Sequence, residues 1–318
     1  MNRSWTMIIK MEQKQPFFSI IIPTYSRPEQ LAACLQSLAC LRYPGDCFEA
    51  IVVDDGSKIP LDAVISPFSD RLNIYLLTQP HSGPAKARNR GAAQAKGEYL
   101  AFTDDDCTPA PEWLQTMAAR FAATPHHAIG GRTLTALPDN PYSTANQLLI
   151  EYLYAYYNAD HSQPYFLASN NLALPTTCFN ALGGFDTTYP LAAGEDRDLC
   201  DRWLHHGYRM TYAPEAIVYH AHTLTFRTFW WRHFSYGRGA FLFRQTRARR
   251  NQGHIRLEPL LFYLNLLCYP FSQKRSHRGL LLSKLLVVSQ LAHTAGFLWE
   301  MMNQASDKIK YCKTINKF

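Results

Sequence analysis

The chain has 318 residues, 47% hydrophobic and 18% charged. That balance excludes a disordered or collagen-like chain and leaves ample length for a buried core. The net charge of +7 is local: eight arginines, with no lysine or acid among them, stand between Glu215 and Glu258. The remainder is close to neutral, so no general nucleic-acid affinity is expected.

The first fifteen residues offer only a Met7-Ile8-Ile9 apolar trio. A secretory signal needs an apolar core of roughly 7–15 residues, so a cytoplasmic location is expected. Eight cysteines occur without a C-x-x-C pair. Cys34, Cys40 and Cys200 fall in helical apolar patterns and read as reduced core thiols.

Residues 17–23 form a short β-branched apolar run ended by Pro23, the pattern of a buried strand. A helix follows from Pro28, with Leu31, Cys34, Leu35 and Leu38 on one face. Residues 48–53 and 72–77 read as two further strands, and residues 84–96 as a helix with Pro84 in its first turn. A fourth strand over 98–102 runs into Asp104-Asp105-Asp106. This order predicts an α/β fold with an open, mostly parallel sheet. Ligands bind beyond the carboxyl ends of such strands. Three of the four strands end there in polar motifs: Pro23-Thr24-Tyr25, Asp54-Asp55-Gly56-Ser57 and Thr103-Asp104-Asp105-Asp106.

The second half predicts a helix over 113–123, a strand over 168–174, a turn at Gly183-Gly184-Phe185-Asp186, a helix over 196–206 and a strand over 216–220. Beyond Arg250, residues 259–271 are apolar but too short to span a bilayer. Residues 280–299 have the length a span needs, with one charge at Lys284. Ser283, Gln290 and Thr294 share one helical face, which suits an interfacial or packed helix. The arginine-rich segment ahead of these helices suggests contact with an anionic membrane surface.

Several groups could carry chemistry. Three successive carboxylates need positive charge nearby, and Mg²⁺ or Mn²⁺ with a phosphate would supply it; alone, the triplet also fits a solvated turn. Asp54 and Asp55 could receive a base or ribose or simply shape a turn. Lys86, Arg88 and Arg90 oppose the dipole at the start of their helix, which an anion there would justify. Glu195-Asp196, after Ala192-Ala193-Gly194, opens a helix, where acids are common. His220 and His222 share a strand face and could complete a metal site.

Together these segments resemble the family 2 glycosyltransferases of GT-A fold. The resemblance rests on residues 18–25, 51–57, 83–91, 102–106, 183–186, 194–199 and 218–220, seven motifs in order. It implies donor-nucleotide contacts at Pro23, Thr24, Tyr25 and Asp55, with Asp54 in the same turn. Lys86, Arg88 or Asn89 would border the nucleotide. Asp104, Asp105 and Asp106 match the D-x-D region: Asp106 on the metal with Asp104, and Asp105 near the ribose. Asp196 matches the general base, Glu195 being its neighbouring candidate. His220 matches a metal- or diphosphate-side histidine, with His222 in reserve. The processive members' Q-x-x-R-W stretch corresponds here to Leu199-Cys200-Asp201-Arg202-Trp203, so single transfers are expected.

The implied chain organisation is a tail (1–16), a nucleotide-sugar-binding half (17–108), an acceptor and catalytic half (109–230) and a basic, apolar helical region (231–318). The implied reaction inverts the anomeric centre of a nucleotide-diphosphate sugar, a UDP-sugar first, with Mn²⁺ or Mg²⁺ as cofactor. The acceptor would be a hydroxyl of a glycan or lipid-linked glycan in cell-envelope synthesis, at the cytoplasmic face of the membrane. Two alternatives stand beside it: a sugar nucleotidyltransferase, which would need a Gly-rich loop where Pro23-Thr24-Tyr25-Ser26-Arg27 stands, and an inactive relative serving as a binding subunit.

Overall fold

The computed structural model describes residues 15–315 apart from 162, 190–192, 256–257 and 273–277; side chains beyond 305 are not described. Most of the tail expected over 1–16, together with Ala192 and Arg256, therefore lies outside the described residues.

The first half follows the expected order. Strand β1 (Phe18–Thr24) leads to helix α1 (Pro28–Leu38), strand β2 (Phe48–Asp54), the short helix α2 (Asp62–Ile65), strand β3 (Ile74–Thr78), helix α3 (Pro84–Gln94) and strand β4 (Tyr99–Phe102). β1 pairs in parallel with β2 and β4, and β2 with β3. Every residue of β1 and β2 is buried, because helices cover both faces of the sheet. One face carries Phe18, Ile20, Ile22, Ala50 and Val52 against α1, with Leu31, Cys34 and Leu35 beneath them. The other carries Ile21, Ile51 and Val53 against Ala85, Ala87 and Ala92 of α3.

The second half adds β5 (Cys107–Pro109), α4 (Trp113–Ala123), β6 (Ala128–Thr135), α5 (Pro141–Tyr157), β7 (Leu172–Pro175), α6 (Thr176–Ala181), α7 (Glu195–His205) and β8 (Met210–His220). The sheet order is β3-β2-β1-β4-β7-β6-β8-β5. β7 is antiparallel to β4 and β6, so the sheet changes direction next to the carboxyl end of β4. The strand expected over 168–174 is shorter, because residues 169–171 form a tight 3₁₀ turn before β7. β3 likewise begins two residues later than expected.

Three helices close the chain: α8 (Phe226–Arg250), α9 (Leu260–Ser272) and α10 (Gly279–Ile315). α10 is long and apolar enough over 279–305 to cross a membrane, yet a third of its apolar window is buried. It lies directly on α8. A Cβ at Gly237 would sit 1.9 Å from the His293 carbonyl oxygen, and one at Gly296 1.9 Å from that of Phe234. Only glycine permits this approach of two backbones. Of the expected polar face, Ser283 donates to the Leu267 carbonyl of α9, while Thr294 is exposed.

No disulfide joins the seven described cysteines to one another. Cys34, Cys107, Cys178 and Cys200 are buried, but Cys40 is exposed: it lies just past α1 and off its apolar face, which corrects its assignment to the core.

Candidate active site

The carboxyl ends of β1, β2 and β4 open onto a cleft of about 510 Å³, whose far wall is built by α5, α8, α9 and α10. Pro23, Thr24, Tyr25, Asp55, Arg88, all three of Asp104–Asp106, Glu195, Asp196 and His220 line it. Asp54, Lys86 and Asn89 do not. Asp54 accepts the Ser57 N–H at 2.9 Å and shapes the turn. Lys86 is exposed on the outer face of α3. Asn89 exchanges two 2.8 Å hydrogen bonds with the Phe185 backbone and pins the glycine turn at 183–184. Helical spacing explains the division: Arg88 faces the cleft, so Lys86, two residues away, cannot.

At the nucleotide end, the Asp55 carboxylate is filled by its own loop. It accepts the N–H groups of Ser82 and Gly83, both at 2.8 Å, and the Gln79 amide at 2.7 Å, with His81 Nδ1 at 2.9 Å. Its effect is to hold residues 79–83 against β2. This brings His81 over Tyr25, rings stacked at 4.2 Å, as an exposed aromatic platform.

The three aspartates take different partners. Asp105 is buried, accepting from Thr24 Oγ1 at 2.8 Å and Arg27 Nη1 at 3.1 Å. Burial pushes its carboxyl up to about 6, against the pull of Arg27. Asp106 lies 3.0 Å from His220 Nε2 and 3.2 Å from Arg27 Nη1. The imidazole and cations beside it hold it well below the usual carboxylate range despite burial. Asp104 turns away to Arg88 Nη2 at 2.7 Å. Asp106, Cys107 and His220 place one donor atom each within 4.8 Å of one another. Burial pushes the Cys107 thiol well above its ordinary value, so it offers no thiolate. A carboxylate and an imidazole remain, with Asp104 nearby, a set that suits Mn²⁺ or Mg²⁺ sharing phosphate oxygens.

The other end of the cleft is the start of α7. Gly194 precedes it at φ 97°, a left-handed conformation natural to glycine. α8 passes so close that a Cβ at Gly239 would sit 2.1 Å from the Ala193 carbonyl oxygen. α7 is thereby fixed at its first turn, where Glu195, Asp196 and Asp198 complement the helix dipole. Glu195 is buried and paired with Arg88 Nη1 at 3.1 Å. Asp196 is half-buried, and its Oδ1 accepts the Arg197 N–H at 2.8 Å. Burial raises both carboxyls, and the charge on Asp196 raises Glu195 further. Arg88 thus ties together the ends of β4 and α7.

Arg202 and Trp203 stay out of the cleft. Arg202 holds Asp198 and the carbonyls of Leu182 and Gly184, and Trp203 donates to the Arg209 carbonyl.

The arginine-rich segment is mostly spent inside the molecule. Arg238 pairs with Glu300, and Arg247 and Arg250 pair with Asp201, Arg250 also with Asp198. Arg232 and Arg244 line the cleft. The segment's charge is therefore not a free basic face, which corrects the main ground for the expected membrane contact. Sequence reading also missed Arg27 and His81. The only local hint of Arg27 was its position between two motif residues and Pro28.

Residues 19–181 match the family model described as Glycosyl transferase family 2. The pre-mycofactocin glycosyltransferase of Mycobacterium tuberculosis (strain ATCC 25618 / H37Rv) is 31% identical over 229 residues, covering 70% of this chain and 46% of that protein. The chain thus spans about half the length of this curated relative. Among solved structures, the mannosyltransferase PcManGT from Pyrobaculum calidifontis, in complex with GDP-Man and Mn²⁺, superposes with a TM-score of 0.65 at 17% identity, over 91% of this chain and 88% of that one. S. aureus TarS 1-349 in complex with UDP-GlcNAc gives 0.52 at 16% identity, over 91% and 92%. These likenesses show the fold, the GT-A sheet with helices at its carboxyl end.

Proposed function

The chain belongs to glycosyl transferase family 2, and from that premise we propose that it is an inverting, metal-dependent transferase making single transfers. The donor is a nucleotide-diphosphate sugar, a UDP-sugar first, and the acceptor a hydroxyl of a glycan or lipid-linked glycan of the cell envelope. The observation that carries this reading is the placement of two chemistries in one cleft: Asp106 with His220 beyond β4, and Asp196 at the start of α7, with Arg88 bridging their neighbours Asp104 and Glu195.

In this reading Tyr25 and His81 receive the base, and Asp105, aligned by Thr24, sits by the ribose. Asp106, Asp104 and His220 would hold the cation, which offsets charge developing on the leaving diphosphate. Asp196 removes the acceptor's proton as its oxygen attacks the anomeric carbon from the opposite side, and one displacement inverts that centre. Glu195, engaged by Arg88, keeps that arginine in place. Lys86 and Asn89 have no part in donor contact. A nucleotidyltransferase is disfavoured because the turn after β1 presents Arg27 to acids and no glycine-rich cradle.

Donor choice is testable by thermal shift with Mn²⁺ and a nucleotide-sugar panel. One nucleotide class should raise the melting temperature by several degrees, since a ligand bound only by the folded state stabilises it. No shift with any member of the panel would overturn the reading.

The proposal also places the enzyme at the cytoplasmic membrane face. Leu260, Leu261 and Leu264 of α9 and Leu280, Leu281 and Leu291 of α10 are exposed, and exposed apolar side chains on these two helices are what a membrane contact would use. With Arg238, Arg247 and Arg250 paired to acids and Arg232 and Arg244 in the cleft, apolar insertion carries the contact. The protein should float with phospholipid vesicles, and this should survive 0.5 M salt, about the ionic strength that screens surface charge within a few ångströms. Release by salt, or no flotation, would remove the membrane from the proposal.

A further inference from the structure

One face of α8 runs along the cleft. Arg232, Tyr236, Ala240 and Arg244 line it, at the four-residue spacing that keeps side chains on one side of a helix. At 1.5 Å per residue this stripe is about 18 Å long. Backbone contacts fix its register. A Cβ at Gly239 would meet the Ala193 carbonyl oxygen at 2.1 Å, and one at Gly237 that of His293 at 1.9 Å. Gly239 sets the middle of the stripe beside the start of α7, so Arg232, two turns earlier, falls toward the opposite end of the cleft.

Arg232 differs from the other guanidinium groups at that end. Arg27 is held by Asp105 and Asp106, and Arg88 by Asp104 and Glu195. No carboxylate pairs with Arg232 among the described residues; its Nη1 donates to the Tyr236 hydroxyl at 3.3 Å. Its charge is felt on the metal side of the cleft. His222 lies 3.0 Å from His220 and 3.8 Å from Asp106, and burial, then the Arg232 charge, lowers its pKa. His233, fully buried, packs on the Phe229 ring at 4.3 Å and on the Tyr236 ring at 5.6 Å, which holds Tyr236 in place. A half-buried guanidinium that faces a cleft with only a hydroxyl beside it fits an anionic ligand. The Tyr236 oxygen accepts from Arg232, so its own proton is left to donate to the same anion.

We infer that Arg232, with Tyr236, receives the terminal phosphate of the nucleoside diphosphate as it leaves the sugar. This rests on the transferase reading and names the side chains that meet its leaving group. The acceptor oxygen arrives from the Asp196 end, so the diphosphate departs toward the other end, where Arg232 stands. As the anomeric C–O bond breaks, its electron pair passes to the phosphate oxygen. The guanidinium meets that charge and keeps its own protons. α8 lies beyond residues 19–181, the part matched by the family model, so the C-terminal helices complete the donor site as well as closing the cleft.

The test is calorimetric titration of the full chain, saturated with Mn²⁺, with UDP against UMP and with GDP against GMP. Arg232→Gln should weaken the diphosphate at least about tenfold, the scale of a lost charge-assisted hydrogen bond, and leave the monophosphate within about twofold. Arg232→Lys should recover part of the loss, and Tyr236→Phe should weaken the diphosphate about threefold. Arg249→Gln, at an exposed position of α8, should change neither. Single-turnover transfer in Arg232→Gln should fall by a larger factor than donor affinity, because the charge grows as the bond breaks. Mn²⁺ affinity of the nucleotide-free variant should be no weaker than that of the native chain, which separates lost phosphate contact from a damaged metal site. If Arg232→Gln does not fold, Tyr236→Phe decides. An unchanged ratio of diphosphate to monophosphate affinity, or equal loss of both, would overturn the inference and leave the transferase reading standing. Absence of binding by all four nucleotides would overturn that reading, and the inference with it.

Discussion

Asp196→Asn should lower the rate of sugar transfer by roughly 10²–10⁴-fold, the usual worth of a positioned general base, while leaving donor binding nearly unchanged. The asparagine keeps the side chain's shape and can still accept the Arg197 N–H, so the helix start is preserved. It cannot take a proton. Burial raises the Asp196 carboxyl above its ordinary value, which makes it a better base than a solvated aspartate. Glu195 is the natural rival, being adjacent and also raised. Its position decides against it: it is buried with Oε1 held by Arg88 at 3.1 Å, and so is less open to an acceptor hydroxyl than the half-buried Asp196. Glu195→Gln should instead loosen Arg88, and through it Asp104, and so raise the KM for the donor with a smaller loss in kcat. Single-turnover rates and donor KM for the two variants separate these roles. Near-normal turnover in Asp196→Asn with a dead Glu195→Gln would move the base by one residue.

Sequence patterns expose some of this site and hide the rest for physical reasons. β1, β2 and β4 were readable because they are buried on both faces and so appear as unbroken apolar runs ended by polar turns. β6 was not, because Gly130 and Gly131 break its pattern. Gly131 is there because a Cβ would meet the Ala216 carbonyl oxygen at 2.1 Å, a contact made only in the folded sheet. α5 was also missed, since Asn146 and Gln147 interrupt its apolar face. Its start was nonetheless signalled by Asn140-Pro141, a capping residue followed by a first-turn proline, and the Asn140 side chain does accept the N–H groups of Tyr142 and Ser143. Asp104, Asp105 and Asp106 were visible as a cluster, but their division among Arg88, Thr24 with Arg27, and His220 depends on residues 16 to 114 positions away. The arginine-rich segment was visible as charge. That α8 folds back along α7, placing Arg250 on Asp198 and Arg244 in the cleft, is tertiary information that no local pattern carries.

Removing divalent cations should cost more than any single side chain at the donor end. A cation at Asp106 and His220 would offset charge on the leaving diphosphate, and such stabilisation is worth several kcal/mol, or roughly 10³-fold in rate at 1.36 kcal/mol per tenfold. Exhaustive chelation should therefore reduce transfer by about that factor, and Mn²⁺ should restore it. The described residues give this expectation a second readout. Asp106 and His220 touch at 3.0 Å, and Arg27 reaches both Asp105 and Asp106, so the acids already have one cation beside them. Two guanidinium groups, Arg27 on Asp105 and Asp106 and Arg88 on Asp104 and Glu195, against four carboxylates leave negative charge to attract a metal. Mn²⁺ binding, read by electron paramagnetic resonance on protein without substrate, should be measurable in the native chain. Asp106→Asn should weaken it at least about tenfold, the low end for loss of a ligating group by comparison with outer-shell losses of 10–100-fold. His220→Ala should weaken it less than Asp106→Asn if the diphosphate supplies the missing ligands. Arg27→Gln removes the competing cation, so it should tighten Mn²⁺ while impairing transfer, because Asp105 then loses one of its two supports. Full activity after chelation, together with Mn²⁺ affinity that is indifferent to Asp106→Asn, would take the metal out of the reaction and leave Arg27, with Arg232 across the cleft, to meet the leaving group's charge.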